Sequence, residues 1–432
     1  MIVHGTVSGG SPRVYATFPD AGLDSPRRTG GRLGTFRALR HRNYRLFFLG
    51  QMVSVVGSWM QLTALMWLAF HLTGTSRWPA LVAAAQLIPC FLLGAWGGAL
   101  ADRWPRRALI FQTQTALLVL ALALAALTFA GTATVWHLLA IAVASGVVNA
   151  VDLPARLAFL VEMVGKEDLV NAVGLNSLLF NIARAAGPAL GAWVLPQWGP
   201  GACFLLNALS YLAVLAALAR MRVAAPLNTR PRGGLSLLAG FRYVAAHSGL
   251  RLLLPLTAAM SLFGWPLLAL LPALARNHLR AHEGGYSAML SAIGVGALIA
   301  ALLVASFGSI RRRRAFLGAG VGIASAALLG LSLAPDLVTA VTCCGLVGGG
   351  LILFFATSQA VFQLSAGDDN RGRIMGIYSL VLSGANPLGN LLAGPAADRW
   401  GELLVLRVQA VAMLAVTGLV LALYTRRGER LA

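Results

Sequence analysis

The residues of this sequence equipped for chemistry are few, and most are arginines set beside rare carboxylates. Asp102 is followed by Arg103, Arg106 and Arg107, and Gly98 stands one turn before it. A carboxylate at a helix end near guanidinium groups can form and break charge-assisted hydrogen bonds. A glycine one turn earlier lets another helix approach closely. This combination suits a latch that holds one arrangement of helices and breaks in another. Two further ionisable residues lie inside apolar runs. Asp152 can carry a proton, or it can pair with Arg156 at the i, i+4 spacing of a single helix face. Arg184 can hold an anion or pair with Asp152; buried without a partner it is expensive. Beside it, Gly187, Pro188 and Gly191 offer a small-residue packing face and a proline that removes one backbone donor.

Other chemistries lack their residues. There is no Gly-x-x-x-x-Gly-Lys-Ser/Thr loop, so ATP hydrolysis is not encoded. No Ser-His-Asp set stands out. His278 and His282 share an i, i+4 spacing, a weak basis for a metal site. Cys90, Cys203, Cys343 and Cys344 all fall in apolar runs and read as packing residues. No enzyme activity, metal or cofactor is expected.

The elements that carry these residues are apolar runs of membrane-spanning length. The chain has 432 residues, of which 58% are hydrophobic and 11% charged, with mean hydropathy +0.76. A soluble protein of this size needs more polar surface. Twelve runs are predicted, at 46–70, 79–101, 108–130, 136–157, 169–195, 201–219, 252–274, 286–307, 315–333, 337–361, 374–397 and 403–424. The fold class is therefore an all-α polytopic membrane protein of twelve transmembrane helices in two six-helix halves. Residues 1–43 have no apolar core of a signal peptide and read as a disordered cytoplasmic tail. The halves are 44–220 and 252–424, with a central loop at 221–251 and a short tail at 425–432. Within the loop, 224–234 reads as irregular. Leu238, Phe241 and Val244 beside Arg242 mark an amphipathic helix.

The net charge of +20 does not indicate nucleic-acid binding, because the basic residues sit between spans. With the termini on one side, that side holds 28 basic residues and the other holds four. The asymmetry places both termini in the cytoplasm. An internal repeat is also visible at one offset. Ala186–Ala189 matches the Ala-Gly-Pro-Ala at 393–396, Arg106 and Arg107 match Arg313 and Arg314, and Gly57 matches Gly264.

The segment from Gly98 to Arg107 resembles the signature loop of the major facilitator superfamily, Gly-x-x-x-Asp-Arg-x-Gly-Arg-Arg/Lys, with Pro105 in place of the family's glycine. Residues 183–192 resemble the fifth-helix signature of its exporters and antiporters, with Ala183 and Ala192 where two glycines are usual. Arg42-Asn43-Tyr44-Arg45, Gly50-Gln51, Trp59-Met60-Gln61 and the stretch from Asn149 to Arg156 are similar to the branch with enterobactin-exporter-like and macrolide-efflux-like transporters.

The resemblance implies alternating access around a cavity lined by helices one, four, seven and ten. Ser58, Trp59, Gln61, Asn149, Trp265, Phe354, Phe355 and Gln359 are the polar and aromatic residues there. They suit a bulky, partly apolar small molecule. The expected protein is a monomeric exporter in a bacterial inner membrane that exchanges substrate for protons. Proton-independent facilitation and lipid flipping are the alternatives within transport, and a membrane sensor is the alternative outside it.

Overall fold

The computed structural model describes residues 36–165, 167–221, 237–307, 312–365 and 371–426. Their regular structure is helical: a short 3-10 turn at Arg37–Arg40 and thirteen α-helices. These are α1 (Arg42–Thr73), α2 (Arg77–Arg103), α3 (Arg106–Phe129), α4 (Val135–Val164), α5 (Leu169–Arg220), α6 (Leu237–Ala246) and α7 (Ser248–Gly264). The others are α8 (Leu267–Asn277), α9 (Glu283–Phe307), α10 (Arg313–Leu331), α11 (Leu337–Leu364), α12 (Arg371–Trp400) and α13 (Glu402–Arg426).

Among the described residues, ten stretches are long and apolar enough to cross a membrane. One of them, α5, has 52 residues, about 78 Å of helix, which is two crossings. It folds back at Gly199, whose φ of 73° is left-handed and suits glycine. The segments α7 and α8 form one crossing, Gly249–Asn277, broken at Trp265-Pro266. With α12, which has 30 residues and two internal prolines, the described chain makes twelve crossings. Short turns make successive crossings antiparallel. One end of the bundle, here the basic end, holds the α2–α3 turn and the starts of α5 and α7. The far end holds Gly74, Gly199 and Gly401.

In the first half α1 lies along α5 and α2 along α4. In the second, α11 packs on α9 and α10, and α13 on α7 and α10. The halves meet through α2 against α12 and α5 against α9. The outer surface exposes Leu92, Val119, Leu209, Val338 and Val411, as a lipid-facing surface requires.

Glycines set the closest approaches. A Cβ on Gly187 would overlap the Cβ of Trp59 and come within 2.7 Å of the Val56 carbonyl oxygen, so α5 and α1 touch backbone to backbone. A Cβ on Gly191 would meet Thr63 at an ordinary 3.5 Å. Gly187→Ala is therefore expected to destabilise the protein by about 1–3 kcal/mol and Gly191→Ala to be near neutral. Thermal unfolding of the two purified variants checks this, and equal shifts would contradict it.

Two expectations need correction. The docked chain begins before α1: Arg37 Nε lies 2.8 Å from Asp168 Oδ1, and the amide of fully buried Ala38 donates to Asn171 Oδ1 at 2.9 Å. Residues 36–43 thus pack on the start of α5, while 1–35 lie outside the described residues. So does 224–234 of the central loop; the amphipathic segment forms α6 beside α12, with Val244 buried. Finally, the repeated Ala-Gly-Pro-Ala is not structurally equivalent in the two halves. Gly187 packs on α1, whereas Gly394 packs on Arg77 and Ala80 at the start of α2. The second-half counterpart of Gly187 is Gly389, whose missing Cβ makes room for the Leu262 carbonyl and Pro266 of the seventh crossing.

Candidate functional site

Two adjoining compartments lie in the middle of the bundle and share Trp59, Leu62 and Gln86 as walls. The first, about 220 Å³, is inside the first half and mostly polar, with Ser54, Ser58, Gln61, Gln114, Ser145, Asn149, Arg156 and Tyr211 in its wall. The second, about 260 Å³, lies between the halves, where α1, α2 and α5 face Trp265, Leu268, Tyr286, Asn386 and Asn390.

Five of the eight expected cavity residues, Ser58, Trp59, Gln61, Asn149 and Trp265, line one or both compartments. Ser58 Oγ donates to the Ser54 carbonyl at 2.9 Å and lies 3.3 Å from the Tyr211 hydroxyl. Gln61 Oε1 accepts from Asn207 Nδ2 at 2.7 Å, and Asn149 Nδ2 donates to the Ser145 carbonyl at 2.9 Å. Trp265 lines the second compartment and stacks on Phe355, their planes 8° apart. Phe354, Phe355 and Gln359 are exceptions, Phe355 standing behind Trp265 and outside both linings. Phe354 is fully buried in the second-half core against Gly320, and Gln359 is exposed; neither lines a compartment. A uniformly apolar helix gives no signal of which face turns inward. The missed lining residues, such as Gln86 and Asn386, sit on α2 and α12, outside the four helices considered.

Asp152 is fully buried and takes the pairing with Arg156 that the i, i+4 spacing allows. Its Oδ1 accepts from Thr113 Oγ1 at 2.6 Å and from Gln114 Nε2 at 3.0 Å. Its Oδ2 lies 2.7 Å from Arg156 Nη2, a close ion pair too bent to count as a hydrogen bond. Arg156 also donates to Gln51 Oε1 at 3.0 Å. Arg156, counted above among the topology-setting residues, is thus a cavity residue.

Arg184 does not pair with Asp152. Its guanidinium carbon sits 5.3 Å from the ring centre of Trp59 and 5.4 Å from that of Trp265, one indole from each half. Its Nε and Nη1 are buried and have no hydrogen-bond partner. The indole faces lower the energy of the cation but do not occupy its N–H groups.

The α2–α3 turn holds the first half together. Arg106 Nη1 donates to Glu162 at 2.9 Å, and Arg107 Nε donates to the Leu218 carbonyl at the end of α5 at 2.9 Å. Asp102 is exposed and, among the described residues, paired only with Arg106 at 3.8 Å; Arg103 is exposed. Nothing lies within 4 Å of where a Cβ on Gly98 would sit; the glycine that admits a neighbour is Gly97, against Ala150 of α4. Trp104 is extended before Pro105, the conformation a following proline favours.

The far end is closed across the halves. Asp398 Oδ1 accepts from the Ser76 amide at 2.6 Å and Oδ2 from the Arg77 amide at 3.2 Å, at the N-terminus of α2. Glu402 accepts from Asn277 Nδ2 at 3.0 Å and Ser76 Oγ at 3.3 Å, and lies 3.2 Å from His278 Nε2. The pattern Gly-x-x-Ala-Asp-Arg-Trp occurs at 98–104 and again at 394–400, a signal the internal-repeat comparison passed over. Because α2 and α12 run antiparallel, one copy stands at each end of the bundle.

Two six-helix halves around a central cavity, closed at one end, define a transporter of the major facilitator fold. The fold is shared with the nucleoside transporter NupG (TM-score 0.71, 13% identity, 89% of this chain and 100% of that one). It is also shared with a bacterial homolog of the human lysosomal transporter Spinster in an inward-facing, occupied conformation (TM-score 0.69, 13% identity, 92% and 97% coverage). The chain belongs to the transmembrane secretion effector family, which matches residues 33–431. It is similar to the staphyloferrin A transporter of Staphylococcus aureus, at 24% identity over 86% of this chain and 94% of that one. It is also similar to macrolide efflux protein A of Streptococcus pyogenes (23% identity, 84% and 92% coverage). The multidrug efflux pump Tap of Mycobacterium tuberculosis gives 25% identity, with 82% and 87% coverage. The protein is a multi-pass membrane transporter of the efflux and secretion kind, and not an enzyme.

Proposed function

We propose that this protein exports a small organic molecule in exchange for protons, by rocking its two halves about the divided cavity. The observation that carries this reading is the cavity closed at the far end by Asp398 and Glu402 while Asp102, at the basic end, is ion-paired with Arg106 of its own half and, among the described residues, with no residue of the other half. Positive-inside bias makes the basic end cytoplasmic, so substrate enters from the cytoplasm in this state. In the opposite state the far-end contacts break. By the same geometry turned end for end, Asp102 then meets the start of α12, where helix-terminal amides favour a carboxylate. Only one latch holds at a time, which gives two discrete states.

Among the described residues, Asp152 is the one carboxylate more than a turn inside a helix within the bundle. A proton carried by a membrane-embedded carboxylate is therefore carried there. Protonation releases Arg156, which faces the polar compartment, and so links proton uptake to the shape of the site. The test uses inverted membrane vesicles with an imposed pH gradient, a panel of siderophores, macrolides and lipophilic cations, and a lumenal pH reporter. Proton efflux on adding a compound, lost in Asp152→Asn, is the expected result. Gradient-independent uptake that persists in Asp152→Asn would instead establish facilitation. That second reading draws on the complete neutralisation of Asp152 by Arg156, Thr113 and Gln114.

A further inference from the structure

We infer that the compartment between the halves is an anion site, and that the exported molecule carries a carboxylate or comparable anionic group on an apolar body. The inference rests on the export reading above and adds to it the chemical class of the substrate.

The compartment contains donors without acceptors. Arg184 Nε and Nη1 have no hydrogen-bond partner, and the same is true of the buried Tyr286 hydroxyl, which lines the same space. No Asp or Glu lines either compartment. The charge on Arg184 is thus not balanced by any carboxylate within ion-pair distance among the described residues, whereas that of Arg156, the arginine in the polar compartment's wall, is. Unpaired charge in a membrane interior is costly. A bound anion supplies the missing acceptor for Arg184 and Tyr286 together.

The rest of the wall sets the other half of the substrate. Trp59 and Trp265 bracket the guanidinium and leave Leu62, Met66, Leu87 and Leu268 as an apolar surround. This suits a flat or greasy body with an acid group at one edge. Because Trp59 belongs to the first half and Trp265 to the second, an anion on Arg184 is held at the joint of the two halves, where binding can bias their arrangement.

The test compares 2-naphthoate with its neutral isostere 2-naphthamide on native protein in phosphatidylcholine nanodiscs, by equilibrium binding of radiolabelled compound. Naphthoate is expected to bind at least tenfold more tightly. Arg184→Gln should abolish this preference, Arg184→Lys should retain part of it, and Tyr286→Phe should lower it several-fold. Equal affinity of the two compounds for native protein overturns the anion site and needs no variant that must fold. So does a native-like preference in a folded Arg184→Gln protein. Uptake of naphthoate, naphthamide and tetraphenylphosphonium into inverted vesicles separates the two levels of the argument. Accumulation of the amide or the cation, but not of naphthoate, removes the anion site and leaves export standing. Anion-selective binding with no accumulation of any probe above protein-free vesicles keeps the site and removes export.

Discussion

Asp152→Ala is expected to destabilise the protein by about 3 kcal/mol, because it leaves Arg156 in a largely enclosed site without its counter-charge. The estimate lies at the low end for a broken buried pair. Arg156 keeps its hydrogen bond to Gln51 and faces a compartment that water can enter. Thr113 and Gln114 also lose their shared acceptor, which adds to the effect. Asp152→Asn preserves that acceptor and the shape of the site, so its expected loss is smaller, about 1–2 kcal/mol. The double change Asp152→Asn with Arg156→Gln removes both charges and should recover part of the stability lost in Asp152→Asn. Chemical unfolding in mixed micelles of the native protein, Asp152→Asn, Arg156→Gln and the double variant closes the cycle. A coupling above about 1 kcal/mol is the expected value. Additive losses would mean that the pair seen at 2.7 Å contributes nothing as a pair.

The parts of this molecule legible in its sequence are those that lipid dictates. Twelve apolar runs, the basic loops and the Asp102 turn are fixed by the need to satisfy backbone hydrogen bonds in hydrocarbon and to keep arginines on one side. The two crossings inside α5 were separable because Pro196, Gly199 and Pro200 interrupt an otherwise continuous run. Cavity residues were less legible. Ser58, Trp59, Gln61, Asn149 and Trp265 stand out because polar or indole groups are uncommon in apolar helices, while Phe354 and Phe355, both buried and outside both compartments, look in the sequence like any aromatic residue of an apolar run. The Arg184 environment was not legible at all. Its two indoles come from residues 125 positions before and 81 positions after it, and no local pattern links them. The far-end latch lay in plain view as a repeated Gly-x-x-Ala-Asp-Arg-Trp, but its meaning needed the knowledge that α2 and α12 are antiparallel neighbours.

Removing the far-end latch should move the protein toward the state that opens there. Asp398 accepts two backbone amides at the positive end of α2 but is itself exposed, so solvent screening limits its share to about 1 kcal/mol. Glu402 is buried and crosses the halves through Ser76, its contacts with Asn277 and His278 lying within its own half, so its share is also about 1 kcal/mol. Asp398→Asn with Glu402→Gln therefore shifts the balance between states by up to about 2 kcal/mol, on the order of thirtyfold. The change is readable as access to the cavity. In a protein whose four native cysteines are replaced, Ser58→Cys places a thiol in the polar compartment. Its labelling by a membrane-impermeant maleimide applied to the far side should be slow with the latch intact and at least tenfold faster without it. Labelling from the basic side should fall in the same variants, since one molecule cannot be open at both ends. Faster labelling from both sides would indicate a loosened fold and not a shifted equilibrium. Unchanged rates on both sides would show that the contacts of α5 with α9 and of α2 with α12 hold the far end shut without the two carboxylates.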